Sequence, residues 1–190
     1  MKNLSVKEVM VPLAEYATVS EDATLAEAII SLEKAQQSFD HTKYRHRAVL
    51  VLDGNNRVIG KISQIDALRA LEPKYGKIQT DASGSAFRHF SKIFLKSIQE
   101  QYRLFDKPLD DICKKAAEQK VKNFMRKMTE GEFLSEDATL DEAIHLLVMG
   151  NHQSLLVTRK NDIVGILRLT DVFAAVFQSL SLSCTAQRQS

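Results

Sequence analysis

An internal duplication constrains this chain more than any other feature of its sequence. The ten residues Ser20–Ile29 recur with nine identities as Ser135–Ile144, 115 positions downstream. The same shift aligns Val6–Met10 with Val121–Met125, so the repeat begins before the shared block. Self-similarity of this kind indicates two copies of one structural unit. Because a unit of roughly 60 residues buries too little surface alone, we expect two half-units that share one core.

The apolar pattern predicts the same order of elements in each copy: strand, helix, strand, strand, helix. A threonine and a glutamate three residues later form a capping box before each helix, at Thr24 and Glu27 and at Thr139 and Glu142. Apolar residues then follow at helical spacing, namely Leu25, Ala28, Ile29 and Leu32 in the first copy and Leu140, Ala143, Ile144 and Leu147 in the second. Two apolar runs joined by a polar turn come next and predict a hairpin. The first copy is about ten residues longer before its hairpin, which predicts a longer helix or an ordered loop.

The repeats divide the chain into four segments. Residues 1–71 form the first repeat, 72–120 an insert, 121–180 the second repeat and 181–190 a polar tail that we expect to fray. The fold class is therefore α+β, with two β-α-β-β-α repeats packed about a pseudo-two-fold axis.

Apolar spacing in the insert predicts a helical hairpin. Residues 72–85 have the composition of a loop, and a helical stripe follows at Phe87, Phe90, Phe94 and Ile98. A second amphipathic helix is expected after residues 106–108, with Asp106 as its cap and Pro108 in its first turn. The apolar stripe is explained either by core packing or by docking of a second subunit or protein partner.

Charge and cysteine content exclude several classes of protein. The net charge is +2, and the insert carries ten basic against seven acidic residues, too small an excess for many phosphate contacts with a nucleic acid. Cys113 and Cys184 are isolated, the N-terminus lacks a secretory apolar core, and no apolar run approaches the roughly 20 residues of a membrane span. We expect a cytoplasmic protein that binds neither nucleic acid nor membrane.

The junction between the last strand and the last helix of the first repeat could carry chemistry. Gly60 is followed by Ser63 and then by Asp66, so that a hydroxyl and a carboxylate lie at a helix N-terminus. Such a position attracts anions, Ser63 can donate to a phosphate, and Asp66 can accept from ribose hydroxyls. Equally, Ser63 and Asp66 are the cap and the first-turn acid of an ordinary helix.

The duplicated unit, its Gly-x-x-Ser-x-x-Asp ending and its Ser-Glu-Asp-Ala-Thr-Leu opening together resemble the cystathionine-β-synthase (CBS) domain, which occurs as tandem pairs called Bateman modules. The resemblance covers residues 6–71 and 121–178 but not the insert, which is much longer than the usual linker. It implies a regulatory module whose clefts bind AMP, ADP, ATP or S-adenosylmethionine, with no required cofactor, no catalysis and a homodimeric assembly. In the family the aspartate holds ribose, the hydroxyl contacts phosphate and the backbone near the first strand cradles adenine. Those roles fall on Asp66, on Ser63 and on Ala17, Thr18 and Val19.

The second repeat departs from this pattern. Asp171 keeps the ribose position, but Arg168 replaces the hydroxyl and Phe133 stands where the first repeat has Thr18. Arg168 could bind a phosphate through its planar fork of donors, fill an empty cleft or pair with an acid.

Basic residues before the hairpins are further candidates for ligand binding. Arg45, His46 and Arg47 precede the first hairpin, with His152 in the corresponding region of the second repeat. They could line a phosphate path, or they could form a solvated cationic strand end. No histidine pair has the spacing of a metal site, and no catalytic residue is assigned.

Two functions follow from these observations. The first is a regulatory protein that senses an adenosine nucleotide between its repeats, with Ala17, Thr18, Val19, Arg47, Ser63, Asp66, His152, Arg168 and Asp171 as the ligand-binding set. The alternative is a ligand-free dimerisation or scaffold protein that acts on a partner through the insert helices. An enzyme is not expected, because no nucleophile with a base, phosphate-binding loop or metal motif is present.

Overall fold

A computed structural model describes residues 4–38, 46–81 and 91–187 of the chain. Its helices are α1 (Val6–Val9), α2 (Leu25–Ser38), α3 (Gln64–Leu71), α4 (Lys74–Asp81), α5 (Lys92–Gln101), α6 (Leu109–Ala117), α7 (Leu140–Met149) and α8 (Leu169–Gln187). Its strands are β1 (Val11–Pro12), β2 (Thr18–Ser20), β3 (Ala48–Leu52), β4 (Val58–Ser63), β5 (Phe133–Ser135), β6 (Ser154–Arg159) and β7 (Asp162–Arg168). Each repeat therefore has the predicted order, β2-α2-β3-β4-α3 and β5-α7-β6-β7-α8.

Both helices that open the repeats begin at the predicted capping boxes. The backbone N–H of Glu27 donates to Thr24 Oγ1 at 3.3 Å, and that of Glu142 donates to Thr139 Oγ1 at 3.4 Å. In return each glutamate accepts from the backbone N–H of its threonine, at 2.7 Å in the first repeat and 3.1 Å in the second. The expectation of a longer first helix is confirmed, because α2 has 14 residues and α7 has 10.

Two sheets, one for each repeat, carry these helices. In both, the first strand runs parallel to the second and the second pairs antiparallel with the third, giving the order β2-β3-β4 in the first repeat. The second sheet has the order β1-β7-β6-β5, so it includes a short strand from the start of the chain. A core cluster that contains Leu50 from the first repeat and Leu156 and Ile166 from the second joins the two sheets. The two halves thus share a core, as expected.

The opening segments of the two repeats are exchanged, which the sequence did not predict. Val6 is buried in the core of the second repeat, where its N–H donates to the Ala138 carbonyl at 3.0 Å. Val121 is buried in the core of the first repeat, where its N–H donates to the Ala23 carbonyl at 2.8 Å. Each half therefore completes the other, and neither repeat has its full core alone.

A glycine in each final strand permits this exchange. A Cβ on Gly165 would stand 2.6 Å from the Val11 carbonyl oxygen, and one on Gly60 would stand 2.8 Å from Met125 Sδ and 3.1 Å from the Arg126 carbonyl oxygen. Both contacts are too close for a side chain. The equivalent glycines thus mark the places where the exchanged segments cross the sheets.

The insert differs from its predicted form at two points. Residues 74–81 form α4 rather than loop, because Pro73 suits the first turn, the Glu72 carboxylate accepts from the Lys74 N–H at 3.3 Å and Ile78 is buried. The helix α6 is confirmed, but its N-cap is Pro108 and not Asp106, which instead lies 3.7 Å from Lys74 Nζ.

Helix α5 contains only part of the predicted apolar stripe. Phe94 is 44% exposed and Ile98 is half-buried, whereas Phe87 and Phe90 lie outside the described residues. Helix α6 buries Ala116 against Leu25 and Ala70, and this contact attaches the insert to the first repeat.

Two further expectations fall differently in the structure. Ile29 was expected on the buried stripe of α2 but is 48% exposed, because α2 instead packs Ala28 on the sheet and Leu25 on helices α3 and α6. Helix α8 continues to Gln187, through most of the segment expected to fray.

Candidate functional site

A cleft of about 370 Å³ lies where the ends of the two hairpins meet, and both repeats line it. Its wall is rich in polar and charged side chains, among them Arg47, Lys61, Ser63, Asp66, Arg69, Arg126, His152 and Arg168. The volume falls within the range of small-molecule sites, roughly 300–1,000 Å³. Five of the nine residues predicted to bind ligand, namely Arg47, Ser63, Asp66, His152 and Arg168, are therefore brought together here.

The first repeat contributes a buried carboxylate at the start of α3. Ser63 is the N-cap of that helix, and Asp66 Oδ2 accepts from the Ser63 hydroxyl at 2.5 Å and from its N–H at 2.9 Å. The other oxygen, Oδ1, lies 3.5 Å from Arg69 Nη1. Ser63 and Asp66 thus form the capping box of an ordinary helix while they also line the cleft. The cap uses Oδ2 of Asp66 and leaves Oδ1 with only the long contact to Arg69, so the structural interpretation of this pair does not exclude the functional one.

The second repeat places an ion pair at the same point. Arg168 Nε donates to Asp171 Oδ2 at 2.5 Å, and Arg168 Nη2 donates to Asp171 Oδ1 at 2.6 Å. This bidentate pair is the strongest form that a guanidinium and a carboxylate can make. Of the three roles open to Arg168, pairing with an acid is the one observed. Both oxygens of Asp171 are engaged, and Asp171 itself is not among the residues that line the cleft.

A buried histidine connects this ion pair to the first repeat. His46 is fully buried, its ring meets that of Tyr16 edge-on with centroids 4.4 Å apart, and its Nδ1 lies 3.5 Å from Arg168 Nη1. Burial and the nearby guanidinium lower the pKa of His46 to about 4. The imidazole is therefore neutral at physiological pH. Arg45, its neighbour in the predicted basic run, lies outside the described residues.

A second ionic cluster lies at the cleft wall, where Lys61, Arg126 and His152 surround the buried Glu132, and the sequence did not predict it. The Oε1 atom of this buried glutamate lies 2.6 Å from Lys61 Nζ, 2.6 Å from Arg126 Nη2 and 3.9 Å from His152 Nδ1. Its Oε2 accepts from the backbone N–H of Thr129 at 3.0 Å. One signal was available, since the 115-residue shift places Glu132 opposite Ala17, and a charged residue stands where the first repeat has an apolar one.

Opposing effects act on the pKa values of Lys61 and Glu132. Burial would raise the pKa of Glu132, but hydrogen bonds from Lys61 and from the Thr129 backbone outweigh it, so that this pKa is lowered. Burial lowers the pKa of Lys61, and Glu132 partly offsets that shift. We expect the pair to be ionised at neutral pH, with Lys61 contributed by the first repeat and Glu132 by the second.

Besides Asp171, three more of the predicted residues, Ala17, Thr18 and Val19, lie away from the cleft wall. Ala17 is buried and its carbonyl accepts from the Leu50 N–H, while Thr18 and Val19 pair with β3 and the Thr18 carbonyl accepts from Ser31 Oγ. They border neither this cleft nor the second cavity described below. Their backbone is largely occupied by the sheet.

A second cavity, of about 450 Å³, is mostly apolar. It lies between α2 and α3 of the first repeat, where Leu25, Ala28, Ile29, Leu32, Ala67 and Leu68 line it. The residues Ser63 and Gln64 border both cavities.

Neither a metal site nor a membrane-spanning helix is found in the described part of the chain. No group of three or more histidine, cysteine, aspartate or glutamate side chains has the arrangement of a metal site among residues 4–38, 46–81 and 91–187. Over the same ranges no helix combines the length and the apolar character needed to span a membrane.

The fold defines a tandem pair of repeats with a cleft between them, and comparison with known proteins identifies their family. The sequence model of the CBS domain matches residues 6–73 and 121–178, which together make up more than half of the chain. The protein therefore belongs to the CBS-domain family. Paired CBS domains are typically regulatory, ligand-binding modules. A search of curated proteins finds no match.

Solved CBS-domain structures share this fold. The chain is similar to the CBS-pair protein CBSX2 from Arabidopsis thaliana, with a TM-score of 0.58, 17% identity and coverage of 93% of this chain and 96% of that one. A structure of CBSX2 in complex with AMP gives a TM-score of 0.56 at 17% identity, over 93% and 98% of the two chains. Protein MJ1004 from M. jannaschii gives a TM-score of 0.55 at 16% identity. The match covers 92% of this chain but only 60% of that longer chain.

Proposed function

We propose that this protein is a regulatory module that binds an adenosine nucleotide in the cleft between its CBS repeats, at the first repeat. The observation that carries the proposal is the placement of Asp66, a buried carboxylate beside the Ser63 hydroxyl on the wall of a cleft that also holds several cations. An aspartate that accepts from ribose hydroxyls and cations that face phosphates are what such a ligand requires. The AMP complex of CBSX2, which has the same fold, supports this ligand class.

The contrast between the repeats favours one ligand per chain. Asp66 keeps Oδ1 with one long contact at 3.5 Å to the half-exposed Arg69, so a ribose hydroxyl can compete for it. Asp171 has both oxygens in short bonds to the buried Arg168. A ligand at the second repeat would have to break a buried bidentate pair, which is costly.

Because both repeats line the cleft, a bound nucleotide would contact both. Lys61 and Ser63 come from the first repeat and His152 and Arg168 from the second. A ligand that fits one arrangement of the repeats better than another shifts their equilibrium by its difference in affinity. This is the basis for a regulatory role. We assign no catalytic step to the cleft, and nucleotide hydrolysis above a no-protein control would contradict that assignment.

A thermal-shift titration of nucleotide-stripped protein with AMP, ADP, ATP and S-adenosylmethionine tests the proposal. A ligand that binds only the folded state adds about 2.7 kcal/mol of stability at one hundred times its Kd. We expect a stabilising shift for at least one adenosine ligand, reduced at least tenfold in apparent affinity by Asp66→Ala. Asp171→Asn should not weaken that affinity, because Asp171 does not line the cleft and its loss only releases Arg168, a cation that does.

Asp66 also caps α3, so a control must separate binding from stability. Glu27→Ala removes the equivalent capping acid from α2, away from the cleft, and should cost a similar amount of stability without loss of affinity. Absence of any shift with all four ligands would sink the proposed function.

A scaffold function remains the second candidate, because the insert exposes apolar residues. Ile93 is 83% exposed on α5, and Phe94 and Leu95 beside it are about half exposed. Binding of a partner through this surface should be lost in the Ile93→Glu and Leu95→Glu variants. It should be unchanged in Asp66→Ala. Pull-down comparison of these variants separates the two functions.

We also propose that the protein forms a homodimer through the helices that flank the sheets. Large apolar side chains are exposed on these helices in both repeats, including Ile30 and Leu68 in the first and Met149, Phe173 and Phe177 in the second. Exposed apolar area of this extent is typical of a protein interface. Light scattering across a concentration series should give twice the chain mass of 21.4 kDa, and a constant monomer mass would refute the dimer.

A further inference from the structure

The cleft carries more positive than negative charge. Five cationic side chains line it, namely Arg47, Lys61, Arg69, Arg126 and Arg168. All but Arg47 contact one of three carboxylates, Asp66, Glu132 or Asp171. An excess of two positive charges is left, with the histidines counted as neutral. Within the described ranges, no carboxylate lies at ion-pair distance from Arg47, whose side chain is exposed.

The cations are not equally free to meet a ligand. Lys61 and Arg168 are each only 6% exposed and are held by buried acids. Arg69 and Arg126, in contrast, are 46% and 52% exposed. A half-exposed guanidinium can turn to a new partner without leaving its own charge buried.

Glu132 makes the movement of Arg126 inexpensive. Its Oε1 is shared between Lys61 Nζ and Arg126 Nη2, both at 2.6 Å. If Arg126 turns towards a ligand, Lys61 still neutralises the buried carboxylate. The backbone of Arg126 is fixed meanwhile, because its N–H donates to the Lys61 carbonyl at 2.9 Å and its own carbonyl accepts from the Lys61 N–H at 3.1 Å. Arg126 is thus a tethered donor with a replaceable partner.

We propose that the cleft selects its ligand by phosphate count, with Arg126 and Arg47 as the specificity-determining residues. Resting on the proposed function, this inference names the ligand class as a nucleoside di- or triphosphate in preference to a monophosphate or S-adenosylmethionine. Each added phosphate supplies oxygens that accept hydrogen bonds from a guanidinium. The ribose and the base cannot satisfy the guanidinium in this way. The sulfonium of S-adenosylmethionine is a cation and meets the excess positive charge unfavourably.

Calorimetric titration of nucleotide-stripped protein tests this selection. The ligands are ATP, ADP, AMP, S-adenosylmethionine and inorganic triphosphate, in buffer with EDTA at low and at moderate salt. We expect ATP and ADP to bind at least about tenfold more tightly than AMP, S-adenosylmethionine to bind weakest of the adenosine ligands, and the advantage of ATP to shrink with added salt.

Arg126→Gln and Arg47→Gln should each weaken ATP binding by about tenfold and change AMP binding by less than about threefold. Arg57→Gln is the matched control, since Arg57 is a 76% exposed arginine in the first hairpin turn and does not line the cleft. It should leave all affinities unchanged.

The outcomes separate the two proposals. Equal affinity for AMP and ATP, or variants that weaken AMP and ATP alike, would overturn the selection by phosphate count and leave the proposed function standing. Binding of inorganic triphosphate as tightly as ATP, with no binding of AMP, would support the charge selection and overturn adenosine recognition. No binding of any ligand would overturn both.

Discussion

The two repeats bring the same order of strand and helix to the cleft but different side chains. In both, a glycine-containing strand leads into a helix whose third residue is an aspartate, Asp66 or Asp171. In the first repeat the aspartate accepts from the small Ser63, and in the second it is neutralised by Arg168. Arg168 stands where the first repeat has Ser63, and with it the carboxylate that caps a helix in one repeat is held in an ion pair in the other. Duplication preserves the order of strand and helix, and side chains that differ between the repeats determine whether the aspartate pairs with a hydroxyl or with a guanidinium.

The largest expected difference between the repeats in stability concerns their two glycines. Gly165→Ala should cost about 3 kcal/mol of unfolding free energy, because the new Cβ would stand 2.6 Å from a backbone oxygen that cannot move alone. Gly60→Ala should cost about 1 kcal/mol, since its closest neighbour is the flexible side chain of Met125. Urea unfolding of both variants measures the difference. Equal losses would show that the two exchanged segments are held with equal rigidity.

A smaller effect is expected from pH through His46. Its pKa is lowered to about 4 in the folded protein, so between pH 6.5 and 4 the unfolded chain binds more protons. The stability contributed by the neutral imidazole is complete above about pH 6.5 and is lost as the pH falls towards 4. At pH 5 the loss relative to pH 8 should be about 2 kcal/mol.

Replacing His46 with glutamine should remove that part of the pH dependence. Chemical denaturation of both proteins at pH 8 and pH 5 makes the comparison, with the pH 8 values isolating the cost of the substitution itself. If the wild-type protein and His46→Gln lose the same stability between the two pH values, the buried neutral histidine is not the cause.

The smallest effect should be the same in both repeats. Thr24→Ala and Thr139→Ala each remove an N-cap with matching hydrogen bonds, and each should cost about 1 kcal/mol. Thermal unfolding of the two variants should agree within about 0.5 kcal/mol. A clear difference would mean that the helices of the two repeats are not equivalent even where their sequences are identical.

Local features were predictable and distant contacts were not. The capping boxes, the hairpins and the Ser63–Asp66 pair each lie within a few residues of sequence, where spacing alone defines the geometry. The Lys61–Glu132 pair joins residues 71 positions apart, and His46 and Arg168 are 122 apart. Residues 74–81 were predicted as loop because their composition is polar, and the burial of Ile78 that supports helix α4 is a tertiary effect.

The sequence by itself determined the two-fold character of this protein, because repeated caps, apolar stripes and turns act locally and identically in each copy. It also determined which helix begins with a hydroxyl beside an aspartate. Only the tertiary structure decided that the opening segments exchange between halves, that Glu132 gathers cations from both repeats and that Arg168 meets His46 of the first repeat. These outcomes depend on which distant groups meet in a buried space, where an unpaired charge is costly, and no local spacing encodes that meeting.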